Sequence, residues 1–298
     1  MTKAENPLNS NQIPLDSNQS IFKKCCTYLG IGVKKNRKDR IWEIDFIRGF
    51  CIILMLYDHF MFDVGFVFSK AWIATGNETL IAFVNHAKWY WKWDLRLVVQ
   101  DLVLISFFTI CGISCSFSRS NLKRAIVIGI CAGLVSLVTY YMNMFISFGV
   151  LHMLSVAVFV WWLTTVILKN KNHQIIAAMS LALIVLALDI YFDNADISPK
   201  VNLFFINKNL AIGSITSADY FPLVPYTAFV FLGAGLGPMI YKSRTSKMKS
   251  PIIKKATIPI TFTGKYAIFF YLFHQILITA ILALISFYSL TPGNFVVI

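Results

Sequence analysis

Charged residues are scarce in this chain of 298 amino acids. Asp, Glu, Lys and Arg together make up 14% of it, whereas hydrophobic residues make up 57% and aromatic residues 15%. A soluble domain usually contains about 25% charged residues. The composition therefore excludes a soluble globular protein and predicts a bundle of membrane-spanning helices.

Several sequence signals are also missing. The first 40 residues have no apolar core followed by a small-residue cleavage site, so no cleaved signal peptide is predicted. No phosphate loop, nucleophile elbow, dinucleotide fingerprint or metal-ligand spacing occurs, and no metal is predicted. The six cysteines fall in the tail or in the predicted cytosolic halves of spans, which predicts no disulfide on the outer side. Strand-like alternation and internal repeats are absent as well.

Seven apolar runs are long enough to cross a membrane. They cover residues 45–67, 97–118, 125–146, 148–168, 174–192, 221–241 and 264–288. The predicted fold is therefore an all-α integral membrane protein of about seven transmembrane helices. It consists of a basic cytosolic tail, residues 1–43, and one transmembrane domain, residues 44–298.

Basic residues predict the orientation of these spans. With a cytosolic N-terminus, the cytosolic segments hold 20 of the 27 Lys and Arg residues, as the positive-inside rule requires. The net charge of +13 is therefore mostly a topology signal, and no nucleic-acid partner is predicted. The expected partner is the lipid bilayer of the cell (plasma) membrane.

The first span contains ionisable residues that are expensive to bury. A charge inside the bilayer costs about 2.5–3.5 kcal/mol on insertion scales, so each one is a functional candidate. Arg48 and His59 are eleven residues apart, which places them on nearly the same helix face, about 16 Å apart along the axis. Asp63 lies one turn beyond His59 and is predicted to orient or charge it.

Other spans carry similar residues. The outer halves hold Asp101, His152 and Asp189, which together with His59 predict one polar chamber open to the outside, and His274 and Gln275 lie near mid-membrane. The cytosolic ends hold a candidate anion site made of Arg48, Arg119, Lys123, Arg124 and Lys265, of which Lys265 is expected to snorkel.

Structural interpretations compete with these functional ones. Cations at span ends often snorkel and only mark topology. Asp45 and Arg48 are spaced to form a local pair, and His152 alone fits a satisfied contact between helices. Asp196 and Asp219 are expected to be solvated loop charges.

The two predicted polar regions suit different chemistry. Cations bind phosphates, and a His–Asp pair removes a proton from a hydroxyl or an amine. Together they describe an enzyme that takes an activated, phosphate-bearing acyl donor from the cytosol and acylates an outer acceptor. A proton-coupled transporter or flippase would use the same intramembrane residues, although the sequence has no paired repeats with broken helices. A third hypothesis is a non-catalytic membrane subunit.

Six fragments, in order, resemble the bacterial relatives of heparan-alpha-glucosaminide N-acetyltransferase, over nearly all of residues 40–290. They are Arg40 to Gly49, Val99 to Val103, Cys111 to Ser114, Gly149 to His152, Asp219 to Pro225 and Tyr271 to Gln275. The spacing of Arg48 and His59 also resembles membrane-bound acyltransferase family 3, which modifies cell-surface glycans.

The resemblance implies acetyl-CoA as donor substrate, and a glycan or amino-sugar acceptor on the far side of the membrane. Asp101 matches the family's Asp at the start of the second span. His86 resembles the catalytic His of a His-Ala-x-Trp segment, if an insertion before Asp101 is assumed. The lysosomal enzyme has Asn at the position of His59, whereas acyltransferase family 3 has His there, so His59 and His86 are both candidate bases.

A mechanistic hypothesis assigns the remaining roles. CoA phosphates are expected at Arg48, Arg119, Lys123 and Arg124, and Asp63 or Asp101 is expected to orient the base. Direct transfer and an acetyl-histidine intermediate are both open. N- or O-acylation, the identity of the acceptor and a homodimeric assembly also stay open.

Overall fold

The first membrane-spanning helix, α1 (Trp42–Phe62), runs without a break into a π-helical turn at Asp63–Val67. The computed structural model describes residues 41–290 except 119, 143, 216, 218, 243, 244, 248 and 249. Residues 1–40 of the predicted tail, and Arg119 among the predicted phosphate ligands, therefore lie outside the described residues.

The described part of the chain is helical and contains no β-strand. The elements after α1 are α2 (Ser69–Ala74), α3 (Glu78–Lys92), α4 (Asp94–Ser116), α5 (Asn121–Tyr141), α6 (Val150–Ile167), α7 (Lys171–Asn194), a 3₁₀ turn (Lys208–Leu210), α8 (Leu223–Ile240), α9 (Pro251–Ala256), α10 (Ile258–Lys265) and α11 (Ala267–Leu290). Seven helices in the described part are long and apolar enough to cross a membrane, namely α1, α4, α5, α6, α7, α8 and α11. The predicted fold class is confirmed.

The main difference from the predicted spans is the end of α5. It lies at Tyr141, whereas the apolar run extends to residue 146. Ile146 folds back on the helix, because its N–H donates to Thr139 Oγ1 and its carbonyl oxygen accepts from Ser136. The connecting segments also contain helices that hydropathy does not reveal, α2 and α3 after the first span and α9 and α10 before the last.

Helix α8 lies at the centre of the bundle. Half of its apolar window is buried, compared with 11% in α5, α7 and α11. It packs against α4, α6 and α7. The outward faces of the peripheral helices carry large apolar side chains such as Leu134, Leu183 and Phe273. Such faces suit lipid tails, which are as apolar as leucine.

Two pairs of glycines bring helices to backbone contact. A Cβ at Gly112 of α4 would overlap the carbonyl oxygen of Val230, and Gly233 of α8 faces α4 in the same way. Gly49 of α1 and Gly264 of α10 form the second pair. Small residues permit this close approach between membrane helices. The first pair fixes α4 against α8, and the second fixes α10 against the turn of α1 that follows Arg48.

Candidate active site

His59 lies in the last turn of α1, and one of its nitrogens has no hydrogen-bond partner among the described residues. Its Nδ1 is 2.9 Å from the carbonyl oxygen of Met55. Because a carbonyl oxygen only accepts, Nδ1 carries the hydrogen, and in the neutral ring Nε2 is left as an acceptor. The ring packs edge-on against His274, with 4.8 Å between the two centroids. Neutral His59 therefore offers Nε2 as a base.

His274 of α11 is held in the same tautomer. Its Nδ1 lies 2.6 Å from the carbonyl oxygen of Tyr271, so Nδ1 is again the donor. The residue is 8% exposed, and within the described part of the chain its Nε2 has no hydrogen-bond partner. Helix α11 thus places a second imidazole, with an unused acceptor, directly against His59.

Asp63 is buried beside these rings, at the start of the π-helical turn. Its Oδ2 accepts a 2.8 Å hydrogen bond from Nε2 of Gln275. Asp63 Oδ1 and Gln275 Oε1 are buried without a hydrogen-bond partner among the residues described. Asp63 lies close enough to His59 for their charges to interact. Single π-helical turns inside α-helices are frequent at functional sites.

Asp219 contradicts the prediction of a solvated loop charge. Its Oδ2 accepts from the hydroxyl of Tyr271 at 3.3 Å and lies 3.5 Å from the backbone N–H of Val150, at the start of α6. A Cβ at Gly149 would lie 2.6 Å from the same oxygen, so only glycine leaves room for the carboxyl. Burial raises the pKa of Asp219, against the opposing effects of the Val150 N–H, His59 and Tyr271.

A backbone contact explains why the sequence did not reveal Asp219. The loop before α8 pairs with the segment before α6 through a short parallel bridge between Phe148 and Tyr220. This bridge brings a loop residue to the end of a different helix. We call the assembled group the histidine cluster, which consists of His59, Asp63, Asp219, Tyr271, His274 and Gln275.

An ion pair that the sequence analysis missed lies next to His59 in the chain. Nε and Nη2 of Arg96 donate to the two carboxylate oxygens of Asp58, each at 2.8 Å. The guanidinium is 3.4 Å from the ring centroid of Trp91, and the hydroxyl of Tyr90 donates to Asp58 at 3.0 Å. Burial and the charge of Asp58 raise the pKa of Tyr90 to about 12, so its hydroxyl remains a donor. The pair fastens the start of α4 and the end of α3 to α1.

At the opposite end of α1, two arginines meet at Ser114 of α4. Arg48 donates to the hydroxyl of Ser114, and Arg124 donates to its carbonyl oxygen at 3.0 Å. Arg48 also donates to Asp45 at 3.0 Å, so the local pair considered from the sequence is formed. The Arg48 side chain is 15% exposed and Lys123 is exposed nearby. We call Asp45, Arg48, Ser114 and Arg124 the arginine cluster.

An apolar cavity lies between the two clusters. On α1 it begins at Cys51, one turn beyond Arg48, and ends at Met55, whose carbonyl oxygen holds His59. The lining residues are Cys51, Ile52, Met55, Val103, Leu104, Phe107, Phe108, Val150 and Tyr271. Apart from the thiol of Cys51 and the hydroxyl of Tyr271, these side chains are apolar. The cavity therefore occupies the turns of α1 that separate Arg48 from His59.

Among the residues predicted for the outer side, His86, Asp101, Asp189 and His152 lie outside the histidine cluster. His86 is exposed on α3, where its ring stacks on Trp89 at 5.6 Å between centroids. Asp101 is exposed on α4. Asp189 accepts a 3.4 Å hydrogen bond from Asn207. Asp101, Asp189 and Asp219 all lie close enough to Tyr226 to interact with it electrostatically. The polar chamber predicted from the sequence stays a prediction.

His152 is engaged in a contact between helices. Its Nδ1 accepts from the N–H of Gly149 at 3.2 Å, so Nε2 carries the hydrogen and donates to Ser136 Oγ at 3.2 Å. Ser136 in turn donates to the carbonyl oxygen of Ile146 at 2.6 Å. Both ring nitrogens are used, which favours the structural interpretation of this residue.

Comparison with known proteins agrees with the class that the fold defines, a multi-pass membrane protein with buried polar clusters. Residues 40–276 match the family described as heparan-alpha-glucosaminide N-acetyltransferase, catalytic. The chain belongs to this family, and membership implies an acetyltransferase. No curated protein and no solved structure gives a significant match. The likeness to acyltransferase family 3 stays a prediction.

Proposed function

We propose that the protein transfers an acetyl group from acetyl-CoA, bound at the arginine cluster, to an amino group of a glycan or amino sugar at the histidine cluster. One observation carries the proposal. The free Nε2 of His59 and the guanidinium of Arg48 lie at opposite ends of α1, with an apolar cavity along the turns between them. This arrangement separates donor binding from proton removal, with an apolar cavity of about 40 Å³ between them.

The residues at the arginine cluster fit the donor. Arginine and lysine bind phosphates, and Arg48, Arg124 and the exposed Lys123 lie at the same end of the bundle. The cavity beyond them is lined by aliphatic and aromatic side chains and has a volume of about 40 Å³, so the pantetheine arm would enter there only when the helices part. Acetyl-CoA supplies the thioester. Arg119 belongs to the same proposal from the sequence alone.

The residues at the histidine cluster fit a general base. As the acceptor nitrogen attacks the carbonyl carbon, Nε2 of His59 takes its proton. The imidazolium that forms lies near the carboxyl group of Asp63, which stabilises positive charge. His86 is the alternative base, and its exposed position on α3 would require the acceptor to bind at the outer surface of that helix.

The proposal includes an orientation. With the N-terminus in the cytosol, the arginine cluster faces the cytosolic acetyl-CoA and the histidine cluster faces the outer side of the plasma membrane. The distribution of basic residues supports this orientation.

The test uses purified full-length protein in nanodiscs, radiolabelled acetyl-CoA, and glucosamine as the acceptor probe. Transfer is expected for the wild type and should fall about 10²–10⁴-fold in His59→Gln. His86→Gln tests the alternative base and should retain transfer if His59 is the base. Activity that survives replacement of both histidines would contradict the assignment. Uptake driven by a pH gradient, without acyl-CoA, would instead favour the transporter.

A further inference from the structure

We propose that Tyr271 is a further catalytic residue, whose hydroxyl donates a hydrogen bond to the thioester carbonyl oxygen as negative charge develops there. This inference rests on the proposed function. Tyr271 lines the apolar cavity with its ring, and its hydroxyl lies behind that wall because the cavity has no polar surface. It also belongs to the histidine cluster, through its hydrogen bond to Asp219. Tyr271 thus lies where the cavity meets the base.

Tyr271 contacts both the histidine rings and Asp219. Its backbone carbonyl oxygen fixes the ring of His274, and that ring contacts His59. Its side chain points to Asp219 instead, with 3.3 Å between the hydroxyl and the carboxyl oxygen. In the proposal, a carbonyl at this end of the cavity takes the hydroxyl from Asp219, while the rings of His274 and His59 lie beyond the ring of Tyr271.

The hydrogen bond from Tyr271 to Asp219 is long enough to be exchanged. A phenol has a single hydrogen, and a charge-assisted bond to an oxyanion is shorter and stronger than a neutral one. Asp219, held behind the phenol by the N–H of Val150 and facing His59, becomes a donor to the phenolic oxygen when it is protonated. Asp219 is then a positioning residue, because it acts on the substrate through Tyr271.

The step balances without any further reactant. The acceptor nitrogen forms a bond to the carbonyl carbon, and the carbonyl electron pair moves to the oxygen that Tyr271 stabilises. The proton of the nitrogen passes to Nε2 of His59. When the C=O bond re-forms, the C–S bond breaks, and the thiolate of CoA leaves and takes a proton from His59.

The experiment measures steady-state kinetics of Tyr271→Phe in nanodiscs with acetyl-CoA and glucosamine. Loss of one donor to an oxyanion is expected to lower kcat about 10²-fold, with KM for acetyl-CoA nearly unchanged. The control is Tyr220→Phe. Tyr220 follows Asp219 in the chain, and the substitution removes its 2.6 Å hydrogen bond to the carbonyl oxygen of Phe204. If Tyr271 only tethers the loop, the two variants should behave alike, and that result would overturn the inference.

If the Tyr271→Phe variant fails to fold, a second measurement tests the inference. Replacement of Tyr271 by 3,5-difluorotyrosine keeps the hydroxyl but makes it a stronger acid. The alkaline limb of the kcat–pH profile should then move to lower pH, and an unchanged profile would overturn the inference. If the wild type shows no transfer activity, both the proposed function and this inference are wrong. An active wild type with inactive His59→Gln and fully active Tyr271→Phe removes only the inference.

Discussion

The arginine cluster and the histidine cluster use polar groups in opposite ways. Arg48 and Arg124 are tied to Ser114, and Arg48 also pairs with Asp45, so these cations are supported by their neighbours. In the histidine cluster, by contrast, His274 Nε2, Asp63 Oδ1 and Gln275 Oε1 are buried acceptors without partners in the described part of the chain. Buried polar atoms are normally hydrogen-bonded.

The difference lies in whether the polar atoms of each cluster find partners within the described part of the chain. All three unpartnered atoms are acceptors, since the hydrogen of His274 lies on Nδ1. A group that brings hydrogen-bond donors, such as an amine or a sugar hydroxyl, would satisfy them. We therefore interpret the arginine cluster as a rigid scaffold with an exposed cationic face, and the histidine cluster as a site prepared for the acceptor.

The largest expected effect comes from the ion pair behind the histidine cluster. Arg96→Met leaves the Asp58 carboxylate without its cation, and breaking such a buried pair costs about 3–5 kcal/mol. Thermal unfolding in detergent measures the loss. The control is Lys208→Met, because Lys208 pairs with Asp193 at the exposed surface, where a pair contributes about 0–1 kcal/mol. Equal shifts in both variants would show that Arg96 does not support the fold.

The next effect tests the arginine cluster. Arg48→Met should raise KM for acetyl-CoA about 10–100-fold, since a hydrogen bond to a charged group contributes about 1.5–3 kcal/mol. Lys265→Met provides the control, because Lys265 is an exposed cation on α10 that stacks on Tyr266. An unchanged KM in Arg48→Met would mean that the donor binds elsewhere.

A third prediction concerns the helix contact on which both clusters depend. Gly233→Ala forces α8 away from α4 and should destabilise the protein by about 1–3 kcal/mol, the usual range for overpacking. Gly133→Ala adds the same methyl group on α5, where nothing lies within 4 Å, and should be neutral or slightly stabilising. Thermal unfolding compares the two. Similar melting temperatures would rule out the close packing of α4 on α8.

The smallest predicted effect is a pH dependence from Asp219. Burial raises its pKa above the reference value of 3.8, so the folded state holds the proton more tightly than the unfolded state. This contribution to stability is complete below pH 3.8 and is lost as the pH rises through the raised pKa. Asp219→Asn cannot titrate. Its melting temperature should therefore gain on that of the wild type as the pH rises from 4 to 8, and parallel curves would contradict the burial of a titrating carboxyl.

The sequence predicted the fold well because membrane insertion imposes one simple requirement, a long apolar run, and all seven spans meet it. Helix periodicity also placed Asp63 beside His59, since both lie on one helix. The ends of spans were less predictable. The last predicted turns of α5 are missing because Ile146 bonds back to Ser136 and Thr139.

Contacts between distant segments were not predictable from the sequence. Asp58 and Arg96 are 38 residues apart, and their pairing depends on how α3 and α4 return to α1. The sequence alone predicts an ordinary loop aspartate at Asp219. In the structure, the bridge between Phe148 and Tyr220 brings Asp219 to Tyr271. One signal was available, because an arginine and an aspartate near the ends of neighbouring spans suggest an intramembrane pair.

The most direct test of transfer between the two ends uses sealed vesicles that contain the protein in one known orientation. Acetyl-CoA is supplied only on the side of the arginine cluster, and glucosamine only on the side of the histidine cluster. The account predicts N-acetylglucosamine on the glucosamine side, with no product when the two substrates exchange sides. Product that forms only when both substrates are on the same side would contradict transfer through the bundle.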